Sequence, residues 1–100
     1  MFVNITDKAQ EELYTIYATF VSNEHKQPDL FIKMFHETID RLKLMPRLGK
    51  MFSSSSFELR YIPIISFNKY YIFYYVTDRE LEVVRVLYAG MDLTSVFSDS

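Results

Sequence analysis

The sequence predicts an α+β fold: an N-terminal strand and a helical hairpin packed on an antiparallel β-meander. Two observations carry this reading. Apolar residues recur at 3.6-residue spacing from Ala9 to Leu42, then at a spacing of two beyond Ser53. Punctuation divides each half, with Ser22–Gln27 and Pro28 between two helical stretches and Thr77–Glu80 between two extended ones. Supply agrees with demand, since 100 residues that are 49% hydrophobic and 17% aromatic provide one core, and hence one domain spanning 1–100.

Phe2 to Ile5 is a short apolar run that reads as the first strand. Thr6 caps a helix beginning at Asp7, whose carboxylate suits the positive end of the helix dipole. Ala9, Leu13, Ile16, Tyr17, Phe20 and Val21 form its apolar stripe, and the helix runs over 7–21. Pro28 opens a second helix over 28–44, with Phe31, Met34, Phe35, Ile39 and Leu42 facing inward. Asp29–Lys33 and Glu37–Arg41 are expected to pair on its outer face. Pro46 and Gly49 stop that helix, and a short polar connection makes the two antiparallel. Met51–Ser56 reads as loop. Phe57–Ile65 reads as a strand interrupted at Pro63, at an edge or a bulge. The strand over 69–76 contains Tyr70–Val76, apolar on both faces and therefore expected to be central. A last strand follows over 81–88, and Asp92–Phe97 reads as a helical turn or an arm.

Composition excludes several classes. A net charge of −2 and high hydrophobicity exclude a disordered chain, and pI near 5.6 is a poor footprint for direct nucleic-acid binding. The absence of Cys removes disulfides, thiolate metal sites and Cys nucleophiles. Residues 1–20 lack a cationic n-region, and Tyr61–Thr77 is too short for a membrane span. These features lead us to expect a soluble cytoplasmic domain with no membrane partner.

The candidate constellations are few. Two glycines leave no phosphate loop or nucleophile elbow. His36 and Asp40 share a helix face but lack a third ligand, so no metal and no cofactor is expected. Tyr71, Phe73 and Tyr75 alternate with Tyr70, Ile72, Tyr74 and Val76. If the hairpin covers one set, the other is a binding surface, unless a curled sheet and the C-terminal arm cover it. Arg60 and Arg85 lie in apolar strands, where an unpaired charge is costly. Either they join the aromatic residues on the open face, or they form ion pairs with Glu58, Glu82 or Asp92.

The segments Ala9–Tyr17 (AQEELYTIY), Ile39–Lys50 (IDRLKLMPRLGK), Leu59–Pro63 (LRYIP), Tyr70–Asp78 (YYIFYYVTD) and Glu82–Leu93 (EVVRVLYAGMDL) follow an order and spacing similar to the RelE/ParE superfamily of type II toxin–antitoxin toxins. The resemblance covers Val3 to Phe97 and is nearest the ParE branch. It implies the fold described above and a protein neutralised by a cognate antitoxin. RelE-like relatives cleave ribosome-bound mRNA with basic residues and a late Tyr. Here Tyr71 stands where that branch has Arg, and Tyr88-Ala-Gly-Met-Asp92 carries no base. The resemblance therefore implies no catalytic residues and, as in ParE-like relatives, inhibition of DNA gyrase by protein contact. A ribonuclease with a rearranged site and a non-toxic interaction module are the alternatives. The partner-binding candidates are Arg60, Tyr71, Phe73, Tyr75, Arg85, Tyr88 and Asp92.

Overall fold

The computed structural model describes residues 1–52, 58–93 and 96. In chain order the elements are β1 (Phe2–Ile5), α1 (Asp7–Val21), α2 (Pro28–Leu44), β2 (Lys50–Met51), β3 (Leu59–Ile64), β4 (Phe67–Val76) and β5 (Glu80–Tyr88). Thr6 alone turns the chain from β1 into α1. Its backbone N–H donates to the Val83 carbonyl at 3.0 Å, while its Oγ1 accepts the Ala9 N–H at 3.2 Å. The side chain thus satisfies one of the amides that a helix start leaves without an intrahelical partner. Pro28 occupies the first turn of α2, where a missing N–H costs nothing.

The five strands form one sheet in the order β1-β5-β4-β3-β2. β1 pairs parallel with β5, and the other neighbours are antiparallel. The doubly apolar strand β4 is central, as its composition requires. Met51, expected at the start of a loop, instead joins Lys50 in pairing with Arg60 and Tyr61 as β2; two residues are too few to show a period. The β3–β4 hairpin is also tighter than expected. Ile64 pairs with Phe67 across a two-residue turn, with Ser66 at φ 67°. The register slips between Pro63 and Ile64, and Pro63 lies beyond the last residue of β3 that β2 reaches, so its missing N–H breaks no ladder bond.

The helices cover one face of the sheet. Phe31, Met34, Phe35, Ile39 and Leu42 of α2 and Ala9 and Phe20 of α1 pack on Ile64, Ile72, Tyr74, Leu81, Val83 and Val86. Phe20, Phe31, Phe67 and Tyr70 close one end of this core with ring centroids 4.9–5.8 Å apart. Among the described residues Thr38 is the buried polar exception: its Oγ1 donates to the Met34 carbonyl and accepts the Ile65 N–H, tying α2 to the hairpin turn. Val21, expected in the stripe, is 58% exposed because α1 ends there, beyond the sheet. On the outer surface of α2 the pair that forms is Lys43–Asp40 at 3.6 Å, rather than Asp29–Lys33 or Glu37–Arg41. Such solvated pairs differ by only a few tenths of a kcal/mol, roughly, so their choice is weakly determined.

Candidate functional site: the aromatic sheet face and the two arginine locks

The sheet face opposite the helices carries a second, smaller core. Leu59, Phe73 and Leu87 are buried at its centre, ringed by Tyr61, Tyr71, Tyr75 and Val84 from the strands and by Phe52, Leu93 and Val96 from flanking segments. Strand alternation places them there, because residues two apart share a face. A slip between Phe73 and Tyr74 in the β4–β5 ladder resets the parity of β5. Val83 and Val86 consequently both face the helices, while Val84 and Leu87 face away. Tyr61 and Tyr71 stack at 5.2 Å with planes 30° apart, and Phe52 meets Phe73 edge-on at 5.6 Å. The Val96 N–H bonds to the Asp92 carbonyl at 3.3 Å, giving the expected turn after β5; the rest of that segment, apart from Asp92, Leu93 and Val96, lies outside the described residues. Both sequence readings of this face therefore hold in part: its centre is covered, and its tyrosine rim is half-exposed.

Arg60 is not on that face. It lies opposite Tyr74, on the helix side, at the corner where α2 ends. One guanidinium nitrogen donates to the Gly49 carbonyl at 2.7 Å and to that of Arg47 at 3.3 Å; the others fork onto Glu58 Oε1 at 2.9 and 3.2 Å. The Gly49 N–H in turn donates to Tyr74 Oη at 2.8 Å. A Cβ on residue 49 would sit 2.5 Å from that oxygen and 2.7 Å from the Tyr61 carbonyl, which explains why glycine stands there. Pro46-x-x-Gly49, Leu59-Arg60 and the Tyr70–Tyr74 run, distant in sequence, thus meet in one hydrogen-bonded lock.

The Arg47 and Arg60 guanidiniums, which donate to Glu58, hold its carboxyl below the ordinary value of 4.5. The sign of the linkage follows from that direction. The contribution is complete above pH 4.5 and is lost as pH falls through the lowered value. Glu58→Gln should therefore be less stable than the parent at about pH 6, and the gap should narrow at about pH 3. Denaturant melts at the two pH values measure this, and a gap that persists undiminished in acid would remove Glu58 from the lock.

Arg85 makes a second lock, at the edge of β5 beyond the end of β1. Its guanidinium forks onto the Glu12 carboxylate of α1 with contacts of 2.6, 2.9 and 3.0 Å. Glu12 Oε1 also accepts the Val86 N–H at 3.0 Å, an amide that β1 is too short to reach. The expected partners Glu58, Glu82 or Asp92 are thus half right. Glu58 serves Arg60, whereas Arg85 takes a helix carboxylate 73 residues away. Only the folded chain brings that carboxylate near.

Of the seven candidates, Tyr71, Phe73 and Tyr75 share the aromatic face. Tyr88 lies on the other side with its ring 5.4 Å from that of Tyr70, and Asp92 is in the exposed turn after β5. Sequence reasoning missed Tyr61, Phe52 and Glu12. Tyr61 was findable, since it lies two residues from Leu59 in the same strand. Among the described residues no three of His, Cys, Asp and Glu gather to hold a metal ion, and no helix is long and apolar enough to cross a membrane.

A helical hairpin on one face of a mostly antiparallel sheet, with an aromatic opposite face and two half-buried arginine locks, defines a small α+β protein of the RelE/ParE superfamily. The chain belongs to the ParE toxin family of type II toxin–antitoxin systems, whose family model (ParE toxin of type II toxin-antitoxin system, parDE) matches residues 3–93. A solved structure of the chromosomal ParDE toxin–antitoxin system from P. aeruginosa has a similar fold, with a TM-score of 0.63 at 18% identity over 90% of this chain and 97% of that one. A comparison with curated protein sequences returned no match.

Proposed function

We propose that this protein is a toxin that acts by protein contact in the cytoplasm, inhibiting DNA gyrase without catalysing a reaction, and that a cognate antitoxin neutralises it by docking on the aromatic face. One observation supports this above others. Arg60 and Arg85, the cations of the matched strand segments, are both held on carboxylates or carbonyls of the fold, with side chains only 16% and 23% exposed. A phosphorane needs cations turned toward the substrate. At Tyr71, the position where the ribonuclease branch has Arg, the ring stacks on Tyr61 instead. The aromatic face offers half-exposed tyrosines with apolar bodies and polar tips, the side chains that concentrate binding energy at interfaces.

Induction of the chain alone in cells tests the target. Filamentation and a DNA-damage response with translation continuing are expected; immediate translation arrest with cleaved message would favour the ribonuclease alternative. Tyr71→Ala tests the surface. It should weaken antitoxin binding by roughly 30-fold, about 2 kcal/mol, while the melting temperature stays within a few degrees. Titration calorimetry at low and high salt measures both the affinity and its mild salt dependence, since apolar and aromatic contacts are not screened. Unchanged affinity in the variant would place the antitoxin elsewhere.

A further inference from the structure

The strand β1, Phe2-Val-Asn-Ile5, forms one edge of the sheet and carries neither a charge nor a proline. Natural edge strands commonly use such residues to discourage pairing with another sheet. Past the end of β1 the exposed side of β5 is covered from within the chain. There Thr6 Oγ1 donates to the Val84 carbonyl, and Glu12 accepts the Val86 N–H. The Phe2 and Thr6 N–H groups donate inward, to the Arg79 and Val83 carbonyls. Strand alternation therefore turns the Val3 N–H, the Val3 carbonyl and the Ile5 N–H outward. The outward Ile5 carbonyl accepts Gln10 Nε2 at 2.8 Å, but among the described residues the other three groups have no partner. A groove of about 470 Å³ between the helices opens beside this edge. Half-buried Ile5, Leu13 and Ile32 line it, with exposed Gln10, Tyr14 and Asp29 at its mouth.

We propose that this edge is the contact of a symmetric homodimer, in which the β1 strands of two copies pair antiparallel about a two-fold axis at Val3. Three features select a second copy as the partner. The outward donor and acceptor of Val3 satisfy the same two groups of another Val3, which is the self-complementarity that a two-fold contact demands. In that register Phe2 of one copy stands opposite Asn4 of the other on the open face. Met1, 49% exposed, stands opposite Ile5 on the helix side, where Val3 and Ile5 also point, and closes the mouth of the groove. The charges agree as well. Asp29 and Lys33 are exposed and form no ion pair among the described residues, so the surface beside the groove holds one charge of each sign. It does not repel its own copy, and it offers no net charge by which a polyanion or a strongly charged peptide would be selected. Pairing uses both β1 edges, so assembly closes at the dimer.

Sedimentation velocity of the full chain over a concentration series tests this. A reversible monomer–dimer equilibrium is expected, with exchange of the Val3 and Ile5 amides slowing as concentration rises. Phe2→Lys with Asn4→Lys should weaken the dimer by at least about tenfold, because the two positions face each other twice across the axis and like charges directly opposite repel. Phe2→Lys with Asn4→Glu should bring it back to within about threefold of the parent, since the same register then opposes unlike charges. Phe2 is 79% exposed and Asn4 is exposed, so both variants should fold, which circular dichroism melts check. Should either fail to fold, Val3→Pro removes an outward N–H that no bond within the sheet uses, and it should be monomeric. Tyr71→Ala, on the aromatic face, should dimerise as the parent does. A monomer at every concentration up to about 1 mM would overturn the proposal. So would a dimer that survives the paired lysines, one that the Lys and Glu pair fails to restore, or one that Tyr71→Ala dissolves.

Discussion

Glu12→Ala is expected to destabilise the protein by about 3–5 kcal/mol, whereas Glu11→Ala, one residue away, should change stability by less than about 0.5 kcal/mol. The difference lies in what each carboxylate touches. Glu11 is exposed, whereas the Glu12 side chain is 14% exposed and holds both the Arg85 guanidinium and the Val86 N–H. Its removal leaves a largely buried cation without that carboxylate and a strand-edge amide with no acceptor. In a domain of this length the expected loss corresponds to a fall in melting temperature of more than about 12 °C. Thermal melts of the two variants measure it, and equal melting temperatures would mean that the second lock contributes nothing.

Gly49→Ala should cost about 2–4 kcal/mol through overpacking and loss of a buried hydrogen bond. The added methyl would meet Tyr74 Oη and the Tyr61 carbonyl at 2.5 and 2.7 Å, and one of these belongs to backbone fixed in the sheet. Relief requires the 46–49 turn to move outward, which breaks the Gly49–Tyr74 bond and withdraws the Gly49 carbonyl from Arg60. Burial also raises the Tyr74 hydroxyl above its ordinary value of 10.0, so it is neutral in the folded protein at physiological pH and presents an oxygen to the glycine amide. A melting temperature within a degree or two of the parent would show that the turn yields without cost.

These two locks explain both what the sequence made legible and what it concealed. Helices 7–21 and 28–44 were readable because periodicity, the Thr6 cap and Pro28 are local signals. The central position of β4 was readable because Tyr70–Val76 is apolar on both faces. β2 was not, since it consists of two residues paired only across the sheet. The arginines were the harder case. A charge within an apolar strand announces that it needs a partner, but the partner's identity depends on register. The register sets Arg85 opposite Phe73, and the short reach of β1 leaves room beside β5 for a helix carboxylate to meet its guanidinium. Tyr71, Phe73 and Tyr75 could be assigned to one face because alternation of neighbouring residues is a local property. The covering of Phe73 by Phe52, Leu93 and Val96 could not, as it depends on where the flanking segments return.

The account holds that Arg60 and Arg85 build the fold and that function is exerted by contact. Purified protein added in parallel to a gyrase supercoiling reaction and to ribosomes programmed with a defined message tests this most directly. The predicted result is inhibition of supercoiling, weakened by Tyr71→Ala, with the message intact. Codon-specific cleavage of the message with supercoiling untouched would contradict it.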